Sequence, residues 1–343
     1  MASDAETASP ADDPVAYFLQ ELTYHGKTER TREAYERVLR QFETFVRGEG
    51  ASLATASRRE CMAWVHTLRE GRSRSTVASY ASYLHRFYAY MTQVGAFEGN
   101  PMTLVLEEMD ESIDTDPARR EILVPEMREF VAHITHPLDR AVVVTLLKTG
   151  MRVGELCNLD MRDLNLEGEA RAAFTTPPRG PLAGRPNSLY ISESPARGEV
   201  TNGERRTESN KRKRPTVIPV DEELRQVIER WLAVRPGPRS DAEPLFCSTR
   251  EWGRRLTGGM VGSRVSEYAA DHGWYQSGGG AGENVTPHYF RHFFTTHLRD
   301  RTGDRGIVKY LRGDVASDIV DTYTHDWGDR VRKTYEQHIY SLL

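Results

Sequence analysis

Thr286-Pro287-His288-Tyr289-Phe290-Arg291-His292-Phe293-Phe294 holds a helix start, a core stripe and two polar side chains that belong to neither. Threonine followed by proline marks a helix N-terminus, the hydroxyl capping and the ring pre-set for the first helical position. Phe290, Phe293, Phe294 and Leu298 then recur at helical spacing and form the face to be buried. His288 and Arg291, three residues apart, share a different face and can converge on one ligand. Presented together at a capped N-terminus, they point to an anion site.

Upstream, residues 138–148 carry Ala141, Val142, Val143, Val144, Leu146 and Leu147, an apolar surface nearly all round that predicts a helix central to a core. Gly150 supplies its stop, and Arg152 follows ahead of a short helix with Val153, Leu156 and Leu159 facing inward. Arg152 is therefore either bridged to Glu155 or aimed into a cleft. The segments 188–192 and 216–220 are β-prone, and the Gly-, Pro- and polar-rich stretches 175–186 and 194–210 around them predict a small sheet with an extended loop. Lys211 and Lys213 stand at the mouth of the second strand, within a basic cluster of Arg205, Arg206, Lys211, Arg212, Lys213 and Arg214. Such a run is most often a solvated face or a phosphate contact. Residues 222–234 predict a further helix with Leu224, Val227, Ile228, Trp231 and Leu232 as its stripe.

The N-terminal half reads as helical throughout. Tyr35, Val38, Leu39, Phe42, Phe45 and Val46 mark one amphipathic helix, and 15–22 a shorter one before it. Ser57 and Glu60 form a capping-box pattern ahead of Trp64, Val65 and Leu68. A fourth helix over 76–94 carries Val77, Tyr80, Leu84, Phe87, Tyr88 and Met91, and Arg72 and Arg74 at its start are placed to hold a phosphate or to decorate a solvated turn. These patterns predict an acidic disordered tail over 1–11, a helical domain over 12–105, an acidic linker over 106–117 and a second domain over 118–343. The last residues, with Val331, Tyr335, Ile339 and Leu342 on one face and Tyr340 nearby, predict an amphipathic tail that docks on a partner subunit.

Composition bounds the rest. A chain of 343 residues allows two ordinary domains, and 38% hydrophobic with 28% charged residues fits a globular protein without a membrane passage. The acidic start, with Asp4, Glu6, Asp12 and Asp13, excludes a secretory or transit signal. Cys61, Cys157 and Cys247 are widely spaced and fit a reducing cytoplasm, with neither disulfide framework nor thiolate zinc site. His288 and His292 have helical metal-ligand spacing, but Tyr289 stands where a metalloprotease carries its glutamate, so no metal is expected. The net charge of −4 opposes nucleic-acid binding only mildly, because acid is concentrated in 1–13 and 107–116 while base clusters elsewhere.

Thr149-Gly150-Met151-Arg152-Val153-Gly154-Glu155-Leu156, the Thr286 to His292 motif and Tyr323-Thr324-His325 together, in this order, resemble the tyrosine recombinase family, or phage-type integrases, of the archaeal/bacterial or Xer-like kind. The resemblance implies a mainly α protein with a small antiparallel sheet. It has an all-helical, SAM-like core-binding domain and a mixed α+β catalytic domain of the DNA breaking-rejoining type, closed around double-stranded DNA. It implies a site-specific recombinase that works without cofactor through a 3′-phosphotyrosyl intermediate, assembled as a homo-tetramer on paired sites. Tyr323 falls on the nucleophile, in preference to Tyr335; Arg152, His288 and Arg291 fall on the phosphate-activating set, Lys211 or the nearby Lys213 on the proton donor, and Glu155 on the supporting acid. The chemistry suits these residue types: a phenolic oxygen forms the ester, and guanidinium forks bind and stabilise the phosphate in the transition state. One position departs from the pattern. Asp314 stands where the family usually has histidine or tryptophan, so it would accept a hydrogen bond or leave proton donation to His325 or His292. A type IB topoisomerase-like relaxase and a DNA-binding regulator that has lost catalysis are the rival readings.

Overall fold

The computed structural model describes residues 9–113, 118–168, 176–314 and 327–343. The chain divides into two compact units, Met1–Pro117 and Ala118–Leu343. Among the described residues no helix is long and apolar enough to cross a membrane.

The first unit is built from α1 (Pro14–Tyr24), α2 (Glu29–Gly48), α3 (Arg58–Arg69), α4 (Arg74–Gln93) and α5 (Met102–Glu108). Polar side chains start the helices where the sequence places them: Asp13 accepts from the Ala16 N–H at 2.9 Å, and Glu60 accepts from the Ser57 N–H at 2.6 Å. The apolar stripes meet in an aromatic core, with Phe42 edge-on to Trp64 at 5.1 Å and Phe18 to Phe87 at 5.5 Å. The acidic stretch that composition marks as linker begins inside this unit. Met102 and Val105 of α5 are buried, Glu108 pairs with Arg58, and Glu111 takes both nitrogens of the Arg69 fork at 2.7 and 3.0 Å. Its carboxylates are consumed by arginines on α3, so the segment folds back instead of extending.

The second unit contains α6 (Val124–His133), α7 (Pro137–Thr149), α8 (Val153–Asn158), α9 (Glu222–Val234), α10 (Gly258–Asp271), α11 (Pro287–Thr302), α12 (Arg305–Arg312) and α13 (Trp327–His338). Its centre is α7, buried at nearly every position, with α9 and α11 packed against it. A small antiparallel sheet lies beside this bundle: β1 (Leu164–Asn165), β2 (Ser188–Ile191) and, after an insertion, β5 (Thr216–Pro219), with Leu189 opposite both Leu164 and Ile218. The insertion is not merely loop, since β3 (Val200–Thr201) and β4 (Glu204–Arg205) pair as a hairpin across Asn202-Gly203. Both turn residues have positive φ, 52° and 80°, the conformation that an Asn-Gly hairpin turn requires.

The C-terminal tail corrects the expectation of a partner subunit, because it is seated in its own chain. Tyr335 and Tyr340 are fully buried, and their hydroxyls donate to the carbonyls of Lys148 and Leu147 at 2.9 and 2.5 Å. The cause lies at the end of α7, where Lys148 is itself buried. Its ammonium group donates to Asp221 at 2.6 Å and to the Tyr340 carbonyl at 2.6 Å, and pairs with Glu223 at 2.8 Å. A charge in that position is tolerable only if every proton finds an acceptor, and the tail completes the set.

Gly150 ends α7 in the left-handed conformation, φ 61°, and a Cβ added there would lie 2.2 Å from the Phe294 ring of α11. Gly150→Ala therefore combines backbone strain with overpacking and is expected to cost about 1–3 kcal/mol in chemical denaturation. A loss below about 0.5 kcal/mol, the range of neutral surface substitutions, contradicts this account of the turn.

Candidate active site

The left-handed turn at Gly150 brings two arginines together from distant parts of the sequence. Its carbonyl accepts from Arg291 Nη1 at 2.7 Å, and two residues later Arg152 takes the N-cap position of α8. Arg291 reaches this place from the start of the second turn of α11, whose N-terminus is set by Thr286 and Pro287. The expected side-chain cap is absent: the Thr286 hydroxyl makes no capping bond, and its carbonyl instead accepts from the Tyr289 N–H at 2.8 Å. Arg291 also donates to the Arg312 carbonyl at 3.1 Å, which couples α11 to the end of α12.

Two carboxylates organise the surrounding guanidinium groups. Glu155 is fully buried; it accepts from the Arg152 backbone N–H at 2.9 Å, pairs with Arg152 Nη1 at 3.1 Å and holds Arg212 Nη2 at 3.1 Å. Arg152 thus fulfils both readings of its position, bridged to Glu155 at one nitrogen and directed into the site at the other. Asp314 is the second carboxylate. Its Oδ1 lies 3.2 Å from Arg152 Nη2 and 2.8 Å from Arg291 Nη2, while its Oδ2 meets Arg312 Nε at 3.0 Å. Both forks therefore point at one oxygen position, the arrangement that suits an oxyanion.

Burial first, and then the crowding of positive charge, lowers the pKa values of several groups in the site. Burial, then the charges of Arg152 and Arg312, push Arg291 down to about 9, which leaves it protonated at neutral pH. Arg212 and Arg312 are also lowered, first by burial. His288 stands at the rim, an accessible residue whose ring is nevertheless partly walled in. Burial, followed by Arg119, Arg291, Arg152 and Arg312, holds its pKa below the ordinary histidine value and favours the neutral ring.

Arg152 is thus linked to both Glu155 and Asp314, and Asp314 in turn to Arg291, with His288 in the field of the arginines. Lys211 and Lys213 are exposed on either side of the buried Arg212, whose other nitrogen donates to the Leu311 carbonyl at 3.1 Å. Tyr323 and His325 lie outside the described residues. Tyr335, the alternative nucleophile, is enclosed in the core, and burial raises its hydroxyl pKa well above the ordinary tyrosine value. In the first unit, Ser73 caps α4 by accepting from the Thr76 N–H at 3.3 Å, Arg72 lies over the Tyr80 ring at 5.8 Å, and Arg74 donates to the Asp110 carbonyl at 2.7 Å.

Sequence reasoning missed Arg119, Arg212 and Arg312 as members of the site. It also read Arg206 and Arg212 as parts of one basic surface, whereas both are buried. Arg206 forms a fork with Asp160 at 3.0 and 2.7 Å, and Arg255 joins the same carboxylate at 2.6 Å and Glu204 at 2.9 Å. Next to the lysine segment, Asn210 accepts from Asn158 at 2.9 Å and donates to the Ser192 and Ser194 carbonyls, each at 2.9 Å. The long insertion is therefore pinned beneath the lysines.

Known proteins share this architecture. A family model for the phage integrase N-terminal SAM-like domain matches residues 15–95, and one for the phage integrase family matches 196–328. Tyrosine recombinase XerC of Pelobacter propionicus is 26% identical over 94% of this chain and 95% of its own length. Tyrosine recombinase XerD of Pseudomonas aeruginosa is 24% identical, with 91% and 92% covered. Among solved structures, the Tn1549 transposon integrase in complex with transposon right end DNA has a TM-score of 0.63 at 19% identity, covering 96% of this chain and 95% of that one. A lambda integrase dimer bound to a COC′ core site gives 0.58 at 15% identity, with 88% and 94% covered. The helical first unit and the mixed second unit, with its small sheet, have the fold of the tyrosine recombinase integrases. The chain belongs to the phage integrase family, the tyrosine recombinases.

An NMR titration of His288 is expected to give a ring pKa below the ordinary value of about 6.5. Because the folded value is the lower one, the unfolded chain takes up the proton first; this stability contribution is present above about pH 6.5 and is lost as pH falls through the folded pKa. His288→Asn removes that part of the acid destabilisation, and a measured pKa above 6.5 contradicts the assigned electrostatics.

Proposed function

We propose that the chain is a site-specific DNA recombinase in which Tyr323 is the nucleophile and Arg152, Arg291, His288 and a lysine, Lys211 or Lys213, act on the scissile phosphate. The observation that carries this reading is the convergence of Arg152 Nη2 and Arg291 Nη2 on a single oxygen position, 3.2 and 2.8 Å away. The Tyr323 hydroxyl oxygen attacks phosphorus, the bond to the 5′-oxygen breaks, and a 3′-phosphotyrosyl ester forms. The two forks hold the non-bridging oxygens and stabilise the charge that grows on them. Neutral His288 accepts the tyrosine proton or bonds a non-bridging oxygen, and the lysine delivers a proton to the leaving 5′-oxygen. The ester stores the energy of the broken bond, so an incoming 5′-hydroxyl reverses the sequence without nucleotide or metal. Glu155 orients Arg152 and does not itself react.

The second unit is then the catalytic domain, and the helical unit is a further binding domain for double-stranded DNA, with Arg72 and Arg74 on its phosphates. A lambda integrase tetramer bound to a Holliday junction has been solved, with a TM-score of 0.59 to this chain. It supports assembly as a homo-tetramer on paired sites. The cytoplasm, where chromosomal and plasmid DNA are accessible, is the place of action.

Nicked suicide duplexes tiled from the DNA flanking the gene test the reading. Wild-type protein is expected to give a denaturation-resistant adduct that maps to Tyr323, persists in Tyr335→Phe and is absent in Tyr323→Phe. Arg152→Ala or Arg291→Ala slows its formation by about 10²-fold or more. No adduct across the tiled duplexes, or one that survives Tyr323→Phe, overturns the assignment.

A further inference from the structure

We infer that Asp314 is an internal anion for the arginine clamp: in the DNA-free chain its carboxylate holds the place of a phosphate, and the phosphate enters by displacing it. The inference rests on the reading of Arg152 and Arg291 as the phosphate clamp.

The geometry is that of a bound oxyanion. One Asp314 oxygen bridges the two clamp arginines at 3.2 and 2.8 Å, and the other meets Arg312 at 3.0 Å. Among the described residues Asp314 supplies the carboxylate contact of Arg291, whose further bonds go to the carbonyls of Gly150 and Arg312. A carboxylate and a phosphate each offer oxygens that match a guanidinium fork, and two anions a few ångströms apart in this position repel. Occupancy by one therefore excludes the other.

The two carboxylates of the site are held very differently. Glu155 has no exposed surface and accepts a backbone N–H besides its arginines, so releasing it would leave buried donors unpaired. Asp314 has 27% of its side chain exposed and follows Gly313, which ends α12 in the left-handed conformation with φ 68°. Turning its side chain outward delivers the carboxylate to water and leaves the forks directed at the vacated oxygen positions. Because Asp314 is tethered beside the clamp, it competes as if at high concentration, and a lone inorganic phosphate cannot match it. A DNA phosphate, held by many other contacts along the duplex, can. The positioning residue Asp314 thereby makes engagement of the clamp depend on a docked duplex.

Isothermal calorimetry of the full-length chain with inorganic phosphate at constant ionic strength tests this, using wild type, Asp314→Asn, Asp314→Ser and Asp314→Asn combined with Arg291→Gln. Expected are phosphate binding at least about tenfold tighter in both single variants than in wild type, and loss of that gain in the double variant. The serine variant covers a failure of the asparagine variant to fold. Equal phosphate affinity in wild type and the single variants overturns the inference, as does a gain that persists in the double variant. The outcome is separable from the recombinase reading: absence of the phosphotyrosyl adduct removes that reading whatever phosphate does, whereas unchanged phosphate affinity with an intact wild-type adduct removes only the role given to Asp314.

Discussion

The hydrogen bond from Arg291 to the Gly150 carbonyl joins the two halves of the site, and the rest of the second unit is arranged so that it can form. It requires α7 to end abruptly in a left-handed residue and α11 to pack closely enough that the Phe294 ring fills the space of the missing side chain. A β-carbon at 150 would separate the helices and withdraw the carbonyl from the guanidinium. The same turn sets the direction of Arg152, two residues on, so one backbone conformation aligns both forks.

Gathering so many cations in one place is costly unless their charges are met. Taking an ion out of water costs several kcal/mol even after relaxation, and neighbouring like charges add to this. The chain meets the cost in layers. Glu155 bridges Arg152 and Arg212 at the base, carbonyls at the ends of α7 and α12 satisfy Arg291 and Arg212, and Asp314 closes the exposed side. The result is a set of donors fixed before the substrate arrives, so that little reorganisation is needed as charge develops on a phosphate. The buried Lys148, with its complete set of oxygen acceptors, shows the same strategy used for structure: it locks the C-terminal tail to the helix that carries the Gly150 turn.

The helices and the β-prone segments 188–192 and 216–220 were legible because each has a local signal, apolar periodicity or a β-branched run; the shared face of His288 and Arg291 followed from their spacing, whereas Arg152 was singled out only through the family resemblance. Asn202-Gly203 carried the hairpin signal as well, and attention to that dipeptide would have found the strands on either side. Other features had no local signal. Arg206 and Arg212 read as surface because they stand in a charged run; their burial depends on Asp160 and Glu155, each more than forty positions away in sequence. The tail shows an apolar face at 331–342, but periodicity does not say which surface covers it, and the buried ammonium of Lys148 that decides the matter looks like any helix-end lysine. The acidic stretch near 110 resembles a linker by composition, while its partners Arg58 and Arg69 lie on another helix.

That Arg152 and Arg291 act on one phosphate as a single unit is tested most directly by a double-mutant cycle on the rate of covalent adduct formation with a nicked suicide duplex, comparing Arg152→Ala, Arg291→Ala and the double variant. Two forks on the same anion predict a double variant much less impaired than the product of the single losses, a coupling of about 1 kcal/mol or more. Losses that multiply to within about 0.5 kcal/mol would show that the two arginines work independently, and would contradict the account.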